Sequence, residues 1–353
     1  MTAKANFGIL FLMISSTINN LISDLKPRQQ EILNGRFGLA NGEKKTLASL
    51  GEKYDITRER VRQIEEEALR MARARIAKEK AIGEISESIV SHLNNLGGLR
   101  LDDLFLSELK VLLEDNNLHH WHLRFFSEIL GQPFYHPADS DFHNFWYLSE
   151  KTIGIVSRFV SKLERLVANK KEDLIIHRQF DTYFIKTTKT YNIPDFIGVN
   201  YLSISRKFSI NPFGDWGLNQ WEEINPKTVR EKAYLILKKQ DKPLHFREIS
   251  EAINRTNFVG RAAHPQTVHN ELIKDPRFVL VGRGIYGLTE HGFTPGIARE
   301  VIYQILKEEG PLPVEEVVNS VLKQRFLKEN TIFLNLQNKK YFKKLEDGRY
   351  NIR

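Results

Sequence analysis

Residues 55–65 read DITRERVRQIE. Charged side chains crowd this stretch, yet Ile56, Val61 and Ile64 recur in register. A helix turns about 100° per residue. With Arg58 at zero, Arg62 falls at about 40°, Glu66 at about 80°, Glu59 at about 100° and Gln63 at about 140°. Val61, Ala68, Ile64 and Met71 gather between about 220° and 300° on the far side. The spacing therefore predicts a two-faced helix, one face for packing and one for polar contact. Thr57 stands before it as an N-cap, but Arg60 occupies the place of an acid three residues on, so the capping box is incomplete.

Working outward, TLASLGEKYD (46–55) predicts a second short helix, with Thr46 as cap and Leu47, Leu50 and Tyr54 on one side. A three-residue turn, DIT, joins the two, which is the helix-turn-helix arrangement. In that arrangement the second helix enters the major groove with its N-terminal residues foremost. The side chains aimed at bases are then Arg58, Glu59, Arg62 and Gln63. Arginine offers two donors to guanine, glutamate accepts from cytosine, and glutamine pairs with adenine. Thr57, Arg60, Arg70, Arg73 and Arg75 fall where phosphate contacts supply affinity without sequence information. The plainer alternative is a solvated helix whose glutamates and arginines pair one turn apart.

Composition agrees with a polyanionic partner without requiring one. The 353-residue chain has a formal net charge of +8 and 41% hydrophobic residues, enough for more than one core. Between Lys26 and Lys80, fourteen Lys and Arg face nine Asp and Glu, so +5 of that charge sits in one short segment. There are no cysteines, which rules out disulfides, thiol catalysis and Cys-ligated zinc and fits a reducing cytoplasm. The apolar run FGILFLMI (7–14) is far shorter than the roughly 20 residues that span a bilayer. It is expected to pack on the first domain as an arm or helix, and a cytoplasmic protein without membrane attachment is expected.

The stretch LKPRQQEILNGRFGL, a short loop and TLASLGEKYDITRERVRQIEEEALRMAR (25–73) resembles region 4 of the sigma-70 family of bacterial RNA polymerase sigma factors. The resemblance implies recognition of a promoter −35 element and docking on the β flap of core RNA polymerase. It places Arg58, Glu59, Arg62 and Gln63 in the family's base-reading positions. No other stretch of this sequence resembles region 2, which melts the −10 element, so promoter opening by this chain alone is not expected.

Two segments near the end match each other. EKAYLILKKQ (231–240) aligns with EVIYQILKEE (300–309), and KPLHFREISEAI (242–253) with GPLPVEEVVNSV (310–321). TVHNELIKDPRFVLVGRGIYGL (267–288) then aligns with TIFLNLQNKKYFKKLEDGRYNI (331–352) at constant offset, pairing Phe278 with Phe342, Gly284 with Gly348 and Tyr286 with Tyr350. Such a repeat implies two copies of one small fold. Each copy predicts three helices and a glycine-turned hairpin, which is a winged helix. The earlier copy closely resembles the HARE-type helix-turn-helix, a domain found in the delta subunit of RNA polymerase, in restriction systems and in chromatin-linked proteins. Its candidate contacts are His264, Gln266, Thr267, His269 and Asn270 on the third helix and Arg283 at the wing tip. DNA contact and polymerase binding both fit this copy. The last copy lacks the HPQ pattern and is expected to serve packing or protein contact.

The middle is less patterned. GGLRLDDLFLSEL with FWYLSE (145–150), and SISRKFSINPFGDWGLNQW (203–221), each suggest a degenerate winged helix. LVANKKEDL (166–174) is a candidate hinge and NQWEEINPKTVRE (219–231) a candidate linker. Trp216 and Trp221 are expected as core or interface anchors. His119, His120, His122, His136 and His143 do not converge at helical spacing and lack supporting ligands, so no metal is expected. No phosphate loop, nucleophile elbow or HExxH pattern occurs, and no cofactor, small-molecule substrate or enzymatic activity is expected. The expected architecture is mainly α with small β-hairpin wings: an N-terminal helix-turn-helix domain followed by tandem winged-helix modules. The expected bounds are 1–82, 83–150, 151–222, 228–290 and 296–353. The expected function is sigma-like DNA binding in transcription; the alternative is a delta-like polymerase accessory factor acting through protein contacts.

Overall fold

The computed structural model describes residues 14–353 except Thr294. The expected arm at 7–14 lies outside the described residues apart from Ile14. The chain divides into two compact units, Met1–Ser209 and Ile210–Arg353.

The first unit opens with α1 (Ile14–Ser23), α2 (Pro27–Phe37), α3 (Leu47–Tyr54) and α4 (Arg58–Ile76). Local chemistry sets these bounds. Proline opens α2, where its missing N–H costs nothing, and Gly38 at φ 69° closes it. The Thr46 hydroxyl accepts from the Ser49 N–H at 3.1 Å, and the Thr57 hydroxyl accepts from the Arg60 N–H at 3.1 Å. Between the two helices the Ile56 N–H donates to the Gly51 carbonyl at 3.0 Å. A Cβ on Gly51 would lie 2.7 Å from the Ile56 carbonyl oxygen, so the turn requires glycine there.

The buried side of α4 changes along its length. Val61 and Ile64 pack with Ile32 and Leu50 of α2 and α3. Two turns later the buried residues are Ala68, Leu69, Ala72 and Ile76, which join α1 and later helices in a larger core. Leu69 and Ile76 fall at about 20° and 0° on the wheel, the same side as Arg58. Met71, expected in the seam, is 41% exposed. The expectation extended one stripe over the whole helix, whereas α4 packs on different partners at its two ends.

The next module is α5 (Lys80–Asn95), β1 (Leu99–Leu101), α6 (Asp102–Leu112), α7 (His120–Leu130), β2 (Phe134–His136) and β3 (Phe145–Tyr147). Its antiparallel sheet has the order β1-β3-β2. Phe105, Phe125, Phe126 and Trp146 share one core with Ile14, Ile18 and Leu33, so this module and the first helices are fused through packing. A buried acid reinforces the join: Asp115, 0% exposed, accepts from the Ser15 N–H and hydroxyl, both at 2.8 Å. Then follow α8 (Glu150–Val167), α9 (Lys171–Ile175), α10 (Phe180–Tyr191) and α11 (Asp195–Ile204). The chain leaves the unit through a hairpin of β4 (Phe208–Ile210) and β5 (Trp216–Leu218).

The second unit holds α12 (Val229–Gln240), β6 (Leu244–His245), α13 (Phe246–Arg255), α14 (Pro265–Lys274), β7 (Phe278–Gly282) and β8 (Ile285–Leu288). Sheet order is β6-β8-β7, the same topology as in the β1–β3 module. The copy after it comprises α15 (Ala298–Glu309), α16 (Val314–Gln324), α17 (Glu329–Leu336), β9 (Phe342–Lys344) and β10 (Tyr350–Ile352). A lone bridge from Leu312 to Tyr350 stands where β6 pairs with β8. The wing registers coincide: Leu280 faces Tyr286 as Lys344 faces Tyr350. Gly284 and Gly348 turn the two wings at φ 72° and 86°. The protein is mainly α with small hairpin wings, a helix-turn-helix domain followed by tandem winged-helix modules.

The segment expected as a linker at 219–231 is not free chain. Trp221 is 8% exposed and Ile224 2% exposed, and both lie against Gly217, where a Cβ would come within 2.9 Å of each. Charge and proline content suggested an open connection, but two large apolar side chains hold it down.

Candidate nucleic-acid interface

The first two turns of α4 present Arg58, Glu59, Arg62 and Gln63 to solvent, while Val61 and Ile64 between them are buried. The guanidinium of Arg62 is forked between two acids. It donates to Glu59 at 2.6 and 2.9 Å, and to Glu66 one turn on. This hydrogen bonding holds the Glu59 carboxyl below the usual carboxylate range and raises the Arg62 guanidinium above its ordinary value. The acids aim the arginine, and because all three groups are exposed the pairs exchange readily with water or another anion. The Gln63 side-chain carbonyl accepts from Arg60 at 3.0 Å, so Arg60 and Gln63 also pre-orient one another.

The residues expected to meet phosphate divide into two sets. Arg60 and Arg70 are exposed on the helix surface. The Thr57 hydroxyl is spent on its cap, as above. Arg73 donates to the Glu128 main-chain carbonyl at 3.1 Å, pinning α4 to α7. Arg75 pairs with Asp24 before α2 and with Glu79 at 3.5 Å.

On the later module, α14 opens at Pro265 with the His264 ring accepting from the Gln266 N–H at 3.3 Å. Gln266 donates to Asn270 at 3.1 Å, and these two with Thr267 and His264 form an exposed polar surface. His269 points the other way. Its ring packs 4.7 Å from Phe246 and hydrogen-bonds the Tyr286 hydroxyl at 3.2 Å. Arg283 is exposed at the wing tip.

The histidines of the middle region have individual protein partners. His120 binds Asp102 at 3.0 Å, and His122 accepts from the His119 N–H at 3.2 Å. His136 stacks on Phe145 at 4.7 Å. Asp102 also accepts from the Trp146 indole and the Asn144 amide, both at 2.8 Å, which accounts for its burial. Among the described residues no group of three His, Cys, Asp or Glu could hold a metal ion, and no helix is long and apolar enough to cross a membrane.

One surface escaped the sequence reading. In the last copy the KKYFKK run (339–344) leads into and along β9, and Lys339, Lys340, Lys343 and Lys344 are all exposed. The signal was present as a basic run, but it lies outside the third helix, where groove contacts were expected.

Comparison with known proteins assigns the two best-defined regions. Residues 21–73 match the family described as Sigma-70, region 4, and residues 227–291 match HARE-HTH, the HTH domain of ASXL and restriction endonuclease proteins. The RNA polymerase sigma factor SigA of Clostridium acetobutylicum is 41% identical over 63 residues, which are 18% of this chain and 17% of the relative. The RNA polymerase sigma-B factor of Nostoc sp. is 44% identical over 61 residues, 17% and 18% of the two chains. The principal sigma factor HrdD of Streptomyces coelicolor is 41% identical over 62 residues, 18% and 19% of the two chains. The chain thus spans less than a fifth of the length of these relatives. Its N-terminal region is similar to sigma region 4, and its 227–291 segment to the HARE-type helix-turn-helix.

Proposed function

We propose that this chain is a sigma factor-like, non-enzymatic DNA-binding protein of transcription, working in the cytoplasm. It reads a −35-type promoter element through Arg58, Glu59, Arg62 and Gln63. Thr57, Arg60, Arg70, Arg73 and Arg75 neutralise phosphates along the same groove, Arg73 and Arg75 with whatever their internal pairings leave free. Core RNA polymerase, through its β flap, is the second partner. Promoter melting is not part of the proposal.

The observation that carries this reading is the split of α4. Its first two turns are seated by Val61 and Ile64 and leave four hydrogen-bonding side chains exposed, while its later turns are sunk into the core. The readable length is therefore short, about the few base pairs a helix N-terminus can reach. Arg62→Ala is expected to cost about 1–3 kcal/mol on a cognate −35 duplex and much less on a scrambled one. Arg70→Ala is expected to weaken both duplexes alike. Equal losses from Arg62→Ala on the two duplexes, measured by anisotropy, reject base reading.

The tandem modules extend the contact. His264, Gln266, Thr267 and Asn270, with Arg283 at the wing, are proposed to touch a second stretch of duplex, and His269 to hold the helix in place from beneath. A second reading, a delta-like accessory factor acting by protein contacts, draws support from the occupied fork of Arg62. Capture of core polymerase that survives nuclease treatment, with no sequence-selective shift of DNA, would favour it.

A further inference from the structure

Beyond that reading, we propose that the wing of the last module is a separate binding site for the phosphate backbone of duplex DNA, without sequence preference. Lys339, Lys343, Lys344 and Arg353 line a cleft of about 790 Å³ at the base of α17 and along β9. Lys340 stands beside it, 5.6 Å above the Tyr341 ring. The nearest acids do not neutralise the group: Asp347 is taken by Arg349 at 2.6 Å, and among the described residues none of the four lysines pairs with a carboxylate. Cations this close repel one another, and a polyanion lying across them relieves that repulsion and releases its own counterions.

Duplex rather than unpaired strand is the occupant because no free ring is offered for bases to stack on. Phe342 is 2% exposed. Lys344 roofs Tyr350 at 6.0 Å, and Arg299 covers Tyr341 at 4.3 Å. Single-strand sites combine cations with open aromatic faces, and only the cations are present here. The preceding copy differs at the same positions, with Val279 and Leu280 where the last copy has Lys343 and Lys344.

The test is a salt titration of the full chain on a scrambled duplex, comparing wild type with Lys339→Gln/Lys343→Gln/Lys344→Gln and with the matching triple Lys→Arg variant. The substituted residues are exposed, and circular dichroism checks that the fold is kept. Each lysine on a phosphate contributes about 0.9 to the slope of log K against log salt, so the Gln variant should lose ~2.7 and the Arg variant little. An unchanged slope overturns the proposal. Equal displacement of duplex by polyglutamate and by competitor duplex also overturns it, and marks a site for acidic peptide instead. Cognate-over-scrambled selectivity is read on the same samples; its absence with the slope effect intact would sink the role of α4 and leave the wing standing.

Discussion

The two winged helices of the second unit share a topology, a hairpin register and buried aromatics, and differ in what they offer to solvent. On the third helix, His269 and Asn270 of the earlier copy correspond to Phe333 and Leu334, the latter pair 39% and 68% exposed. On the wing the change runs the other way, from Val279 and Leu280 to Lys343 and Lys344. The earlier wing is also covered. The Phe326 N–H donates to the Val281 carbonyl at 2.8 Å, and a Cβ on Gly282 would lie 3.0 Å from Phe326. Covering an edge strand removes it as a binding surface. One scaffold thus carries its polar surface on the helix in one copy and its charge on the wing in the other. The repeat preserves the core, while the chemistry offered to a partner migrates over the surface.

The largest effect should come from the shared core. Phe278 and Phe342 begin equivalent wing strands and are 7% and 2% exposed. Phe342→Ala and Phe278→Ala should each cost about 3–5 kcal/mol by lost burial and cavity formation, read from urea unfolding of the full chain. A loss well under ~1 kcal/mol at either site would break the equivalence of the two copies.

Local signals made this much of the fold legible. Thr46, Gly51 and Thr57 define the helix-turn-helix within twelve residues, and glycine-turned strands repeat at constant offset. What escaped depends on partners far away in the chain. Leu69 and Ile76 are buried because α4 meets α1 and α7, which no periodicity within α4 could show. Asp115 reaches Ser15 across 100 positions. His269 looked like a groove contact because its helix face was inferred without Tyr286 and Phe246 behind it. The candidate base-reading residues were legible because they oppose a seam made within forty residues of chain; the basic wing was written in the sequence but belongs to no helical pattern.

Acid should separate the copies next. Asp275 in the earlier copy is 7% exposed and accepts from Arg277 at 2.8 Å, which holds its carboxyl below the ordinary aspartate value. A depressed carboxyl stabilises the fold above its unfolded pKa, and that stabilisation is lost as pH falls through the folded value. The last copy has Lys339 and Tyr341 at these positions and no such pair. Urea midpoints measured from about pH 5 downward should therefore fall less steeply for Asp275→Asn than for wild type, starting near the unfolded carboxylate range of about 4. Parallel curves would mean that the pair contributes nothing that titrates.

The smallest effect sharpens the surface half of the comparison. Arg283 is a single exposed cation on the earlier wing, against four lysines on or beside the later one. One phosphate contact changes the salt slope by about 0.9 and carries no sequence information. Arg283→Ala should therefore shift the slope by no more than that, equally on cognate and scrambled duplexes. Gln266→Ala on α14, by contrast, should change the ratio between duplexes if that helix reads bases. A large slope change from Arg283→Ala would return the earlier wing to the role of main backbone contact and erase the division of labour between the two copies. A null result with the lysine variants still effective would place backbone binding wholly on the later wing.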